Sequence, residues 1–169
     1  MQPTSQAAAA PPSDSHRVRT FDATVPVPMP YRRQQTICTD HAFVALLDAY
    51  RGSGGLAPAE ELLRWFNQRG GPDVKTLARW IVARQVISFG WQARTWLPRF
   101  QFSPQDMTPR AELRPILSEL NDVYDECELA TWFATPNSLL SGRTPVQAFM
   151  TSAAAVTRTA RIDRFVADA

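Results

Sequence analysis

Histidine and cysteine are scarce in this chain of 169 residues, with two of each, and the scarcity narrows what it can do. The two histidines, His16 and His41, offer almost no material for a His-based triad, a general base or a metal cage. The two cysteines, Cys38 and Cys127, are too few and too far apart in sequence for a zinc site or a disulfide framework. Thiols used this way point to a reducing compartment, with the cytoplasm as the default. Carboxylates gather once, at Glu119, Asp122, Asp125, Glu126 and Glu128. That group has the donor chemistry for a divalent cation, but two of its members have helix-capping roles and the glycine of a calcium loop is missing, so a solvated helix rim is expected. Gly52, Gly54 and Gly55 have no strand before them and cannot cradle a phosphate between strand and helix. The expectation is a protein that is not an enzyme, with no catalytic residue, metal or cofactor.

Cations are the other candidates. From Arg64 to Arg114 there are nine basic residues against Asp73, Asp106 and Glu112, whereas residues 115–130 hold five acids and no base. Lys75, Thr76, Arg79 and Arg84 fall on or just after a predicted helix that leads into a predicted hairpin. This is the general plan of a winged helix, in which the helix enters the major groove of DNA and the wing meets the backbone. Net charge is only +2, and Lys75 is the single lysine among 18 bases, so charge by itself does not select nucleic acid. The five tryptophans are enough for a stacking platform, but core packing is the expected use of Trp65, Trp80, Trp91, Trp96 and Trp132.

The elements that must position these residues begin after an arm. Six of the 14 prolines lie in the first thirty residues among Ala, Ser and Thr, without helical or strand period, so residues 1–35 read as a disordered Ala/Pro-rich arm. No uncharged apolar run reaches the roughly 18 residues of a membrane span, and Arg17 follows the alanine run where a secretory signal needs a base before it. A helix capped at Thr39 or Asp40 buries Phe43, Leu46, Leu47 and Tyr50. Pro58 at the first helical position opens a second helix with Leu62, Leu63 and Phe66 inward, and Asp73 caps a third with Val74, Leu77, Ala78, Ile81 and Val82 inward. Period two over Ile87, Phe89 and Trp91, then Trp96, Pro98, Phe100 and Phe102, predicts a hairpin, with Pro98 placing its strand at an edge. A short helix follows over 115–120. Asp125 and Glu128 form a capping box for a helix that Pro136 closes; Thr144, Pro145 and Gln147 open another to about Met150, ahead of a last helix bearing Val156, Ile162, Phe165 and Val166. The fold class is mainly α, a small helical bundle with one β-hairpin, in two parts: a winged-helix-like one over 36–108 and a helical one over 109–169.

The stretch LATWFATPNSLLSGRTPVQAF, Leu129 to Phe149, resembles the C-terminal toxin-binding domain of the Xre, MbcA and ParS antitoxins: a Trp132 helix, a Pro136–Asn137 turn, and the start Gly142-Arg143-Thr144-Pro145. The segment ARQVISFGWQARTWLPRFQF resembles the hairpin that precedes this domain in a subgroup of such proteins, so the similarity covers about 56–169. Ser141 departs from it, standing where a second glycine is common. The motif residues themselves read as structural.

The resemblance implies a bacterial type II antitoxin that neutralises a cognate protein toxin, often a RES-domain enzyme that consumes NAD, through its last helix. Arg158, Arg161, Arg164, Phe165 and Val166 would then carry toxin binding. It also implies operator binding by an N-terminal domain and a homo-oligomer. Short helices and a hairpin stand where a longer DNA-binding domain is usual, so a winged-helix transcription regulator without a toxin partner stays open as the alternative. A plain adaptor is the third reading.

Overall fold

The computed structural model describes residues 37–167, and the expected arm lies outside the described residues. Helix α1 (Asp40–Tyr50) leads through a glycine turn to strand β1 (Leu56–Pro58), α2 (Ala59–Gln68) and α3 (Val74–Val82); the hairpin β2 (Phe89–Trp91) and β3 (Arg94–Pro98) follows, then α4 (Leu113–Leu120), α5 (Glu126–Ala134) and α6 (Pro145–Ala167). The protein is mainly α with one small antiparallel sheet of order β1-β3-β2. Up to β3, this helix and strand order is that of a winged helix.

Local chemistry sets the boundaries. Thr39 caps α1, its Oγ accepting from the Ala42 N–H at 3.2 Å. Asp73 caps α3, its carboxylate accepting from the Thr76 N–H at 2.9 Å. The capping box of α5 is complete: the Asp125 carboxylate accepts from the Glu128 N–H, and the Glu128 carboxylate from the Asp125 N–H. Between β2 and β3 the two turn residues Gln92 and Ala93 have φ of 46° and 58°, the left-handed pair that matches strand twist in a tight hairpin.

Several expectations need correction. Pro98 does not mark an edge, because β3 is the central strand, with β1 on its other side. Pro98 ends that strand, and the next amide, of Arg99, donates to the Gly55 carbonyl at 3.0 Å, so the missing proline donor costs the ladder nothing. In α3 the buried side is Leu77 flanked by Trp80 and Ile81, whereas Val74, Ala78 and Val82 face solvent. Leu47 is likewise exposed on α1 while Phe43, Leu46 and Tyr50 are buried. Pro58 closes β1 and caps α2, one position before the predicted one.

The core has two clusters. One gathers Ala57, Leu62, Phe66, Leu77, Leu97, Phe102 and Met107 from α2, α3, the sheet and the loop after it. The larger joins α1 and β2 to α4, α5 and α6, so the parts 36–108 and 109–169 share one core. Phe43 of α1 stacks on Trp91 of β2 with ring centroids 3.7 Å apart, and Phe100 meets Phe133 and Phe149. Gln101, fully buried, satisfies its amide on Ile87 and Pro98: its Oε1 accepts from the Ile87 N–H, and its Nε2 donates to the Ile87 and Pro98 carbonyls.

The cysteines overturn the reading given to them. Cys38 and Cys127 are 89 residues apart in sequence, but their Cα atoms are 5.5 Å apart and they form a disulfide. Distance along the chain says nothing against contact once α1 packs on α5, and the Cys38 N–H is held by the Gly90 carbonyl at 2.9 Å beside the sheet. The inference from two separate thiols to a reducing compartment therefore falls. A cross-link closing so long a loop restricts the unfolded chain, so Cys38→Ser, or reduction of the native chain, lowers stability by about 2 to 4 kcal/mol. Scanning calorimetry with and without reductant measures this, and an unchanged midpoint contradicts it.

Candidate functional site

The last helix carries the residues that the sequence singles out, and its start is built as expected. The Thr144 hydroxyl accepts from the Gln147 N–H at 3.3 Å, the Gln147 side chain accepts from the Thr144 N–H at 3.1 Å, and Pro145 takes the first helical position. The backbone breaks at Ser152, with φ −156° and ψ 82°, and the Ser152 hydroxyl accepts from the Ala155 N–H at 3.3 Å. A second helical segment thus starts at its own cap, close to the predicted division after Met150.

The motif words upstream are mostly spent on this arrangement. The Asn137 carbonyl oxygen of the side chain accepts from the Leu139 N–H at 2.9 Å, closing the turn after Pro136. Ser141 and Gly142 both adopt left-handed backbone, with φ of 59° and 75°; the serine fills a position that glycine suits better. Arg143 donates to the Thr151 hydroxyl at 3.1 Å, bracing the first segment of α6.

What holds the second segment is an acid that sequence reasoning missed. Asp163 accepts from the Trp132 indole at 2.8 Å and from the Asn137 side-chain amide at 3.0 Å through the same Oδ2. Trp132 and Asn137 are therefore anchors for α6. A single aspartate in a basic helix gives no sequence signal for this, since its partners come from α5 and from the turn after it. Glu119 of α4 supplies the second anchor: Arg161 donates to it at 2.9 Å and Arg164 at 3.2 Å. The bonds from Arg161, then from Arg164, hold the Glu119 carboxyl below its ordinary range. The acidic group read from the sequence is divided among these roles, and among the described residues no set of His, Cys, Asp and Glu is placed to hold a metal.

Around these anchors the end of the helix is left open. Val156, Thr159 and Ala160 face the core, while Ile162 is 49% exposed, Phe165 77% and Val166 68%. Arg158 and Arg161 are exposed beside them. Of the five residues expected to meet a toxin, Phe165, Val166 and Arg158 are presented to solvent, and Arg161 and Arg164 are brought together on Glu119.

The second candidate face is α3. Lys75 and Arg79, one turn apart, are exposed together with Val74, Ala78 and Val82, and Thr76 is half-buried beside the cap. Arg84 does not belong to that face. It follows α3 at φ 51°, and its guanidinium donates to the carbonyls of Asn121 and Tyr124 and lies 3.8 Å from Glu126, tying the end of α3 to the α4–α5 turn. Its charge is used within the chain, so it is not on hand for a phosphate backbone.

The chain matches no protein-family model, no curated protein and no solved structure. Among the described residues, no helix is long and apolar enough to cross a membrane.

Because Glu119 titrates below its usual 4.5, its bonds to α6 are complete above that value and are lost as pH falls through the lowered folded value. Protection factors for amide exchange over residues 158–167, in which the intrinsic slowing of exchange by acid is divided out, should be high at neutral pH and fall as acid protonates Glu119 below its ordinary range. In Glu119→Gln the same segment exchanges faster already at neutral pH; equal protection in both proteins at pH 7 contradicts the anchoring role.

Proposed function

We propose that this protein is an antitoxin that neutralises a protein partner through the end of α6, and that its winged-helix part contacts operator DNA. One observation carries the reading: a helix fastened through Asp163, and through Arg161 and Arg164 on Glu119, still leaves a large aromatic and two aliphatic side chains exposed near its end. Monomeric proteins rarely leave such neighbours bare together, and a central aromatic with basic residues around it suits a protein interface. Phe165 is the anchor of this surface, Ile162 and Val166 its apolar surround, and Arg158 and Arg161 the charged rim. The resemblance of residues 129–149 to the toxin-binding domain of Xre, MbcA and ParS antitoxins supplies the class of partner, a toxin of the RES type that consumes NAD. Nothing in this role requires the chain to catalyse a reaction.

Growth rescue in cells that express the product of the adjacent gene tests the reading. Phe165→Glu should abolish rescue while the purified chain keeps its melting temperature, since the side chain is mostly exposed. Rescue equal to that of the unaltered chain would remove the end of α6 from the interface.

The alternative, a regulator acting on DNA alone, is favoured by the exposed Lys75 and Arg79 on the helix that a winged helix inserts into the groove. Lys75→Ala with Arg79→Ala should weaken binding to the chain's own promoter and lower its salt slope by about 2, one for each phosphate no longer neutralised. Arg84→Ala would instead lower stability. Promoter binding that persists in the double variant with an unaltered salt slope excludes α3 as the reading helix.

A further inference from the structure

An open cleft of about 1080 Å³ lies among the end of α1, the last turn of α2, the turn after β3 and the start of α6. Four arginines line it, Arg51, Arg69, Arg99 and Arg110, against one carboxylate, Asp48. Two of the four have counter-charges: Arg51 pairs with Asp48 at 3.1 Å, and Arg99 with Glu61 at 2.7 Å. Arg69 and Arg110 have no carboxylate within 4.0 Å among the described residues.

Neutral groups orient these cations without cancelling them. Arg69 and Arg99 lie 5.0 and 5.6 Å from the centre of the Trp65 ring, each held by the π-face. Arg110 is aimed by the Phe100 carbonyl, which accepts from its Nε at 2.9 Å. Arg99 Nε is a buried donor with no acceptor among the described residues. Four guanidiniums with two carboxylates leave a surplus of two positive charges in one concavity, and their mutual repulsion is relieved by an anion.

The forked donors of arginine match phosphate oxygens in pairs. The volume is that of sites for small organic ligands, well beyond what a single inorganic ion fills. The half-buried Trp65 adds aromatic surface to the same wall. We propose that this cleft binds a small organic polyanion bearing phosphate groups, of nucleotide size. None of its residues belongs to the toxin-binding surface of α6, so either reading can fail without the other.

Titration calorimetry of the full chain with ADP, inorganic pyrophosphate and citrate, at about 0.15 M salt to screen diffuse attraction, tests this. Saturable binding of ADP and pyrophosphate with Kd below about 1 mM is expected, with citrate at least about tenfold weaker. Arg69→Gln should weaken ADP binding about tenfold, whereas Arg64→Gln, which removes the same charge from an exposed site on α2 outside the cleft, should change it less than about twofold. Both side chains are exposed, so both variants should fold. Absence of saturable ADP binding overturns the proposal, as does citrate binding as tightly as pyrophosphate, or Arg64→Gln weakening binding as much as Arg69→Gln.

Discussion

The Tyr50 phenol is wholly buried at the last turn of α1 and has one acceptor, the Ala130 carbonyl of α5, 2.8 Å away. Burial without water pushes its ionisation far above the ordinary tyrosine value, so it stays a neutral donor. An unmatched hydroxyl there would cost about 1 to 3 kcal/mol, enough to fix how far α1 slides along α5. That register matters to both parts of the chain. The start of α1 bears Phe43, stacked on the hairpin through Trp91, and Phe100 lies close to Tyr50 in the larger core. The winged part and the helical part are therefore positioned by a common helix.

Features decided within four or five residues were the ones legible in advance. The boxes at Asp125–Glu128 and Thr144–Gln147, the cap at Asp73 and the turn at Asn137 each follow from groups that meet across one turn, and the hairpin shows in the period of two along its strands. Features decided across the fold were not. Leu56-Ala57-Pro58 is too short to show a strand period, yet as β1 it moves β3 from edge to centre. The inward side of α3 is chosen by Phe66, Phe102 and Met107, which reward Trp80 and Ile81 and leave Val74 and Val82 outside. Of the candidate site, Phe165 and Val166 were readable as apolar residues at the end of a helix, whereas the opposing anchors on Asp163 and Glu119 join residues 26 to 45 positions apart. Arg84 misled because a cation near a basic helix looks the same in sequence whether it faces solvent or closes a turn.

Arginine has three distinct uses here. Arg84 seals carbonyls at a chain reversal, Arg161 and Arg164 fasten a helix to Glu119, and in the cleft Arg69 and Arg99 stand over the Trp65 ring. A net charge of +2 conceals this distribution: among the described residues Arg51, Arg84, Arg99, Arg161 and Arg164 each have a carboxylate within 4.0 Å, whereas Arg69 and Arg110 of the cleft do not.

The bond between Cys38 and Cys127 also divides the molecule topologically. It makes a covalent ring of the whole winged part, α4 and the first turn of α5, and leaves α6 on a tail outside it. A partner that grips the end of α6 and pulls can peel that helix away, but the strain then reaches a closed loop that cannot unravel while the bond lasts. A protease that nicks the loop over 103–112 would likewise yield two pieces that still travel as one until a reductant frees them.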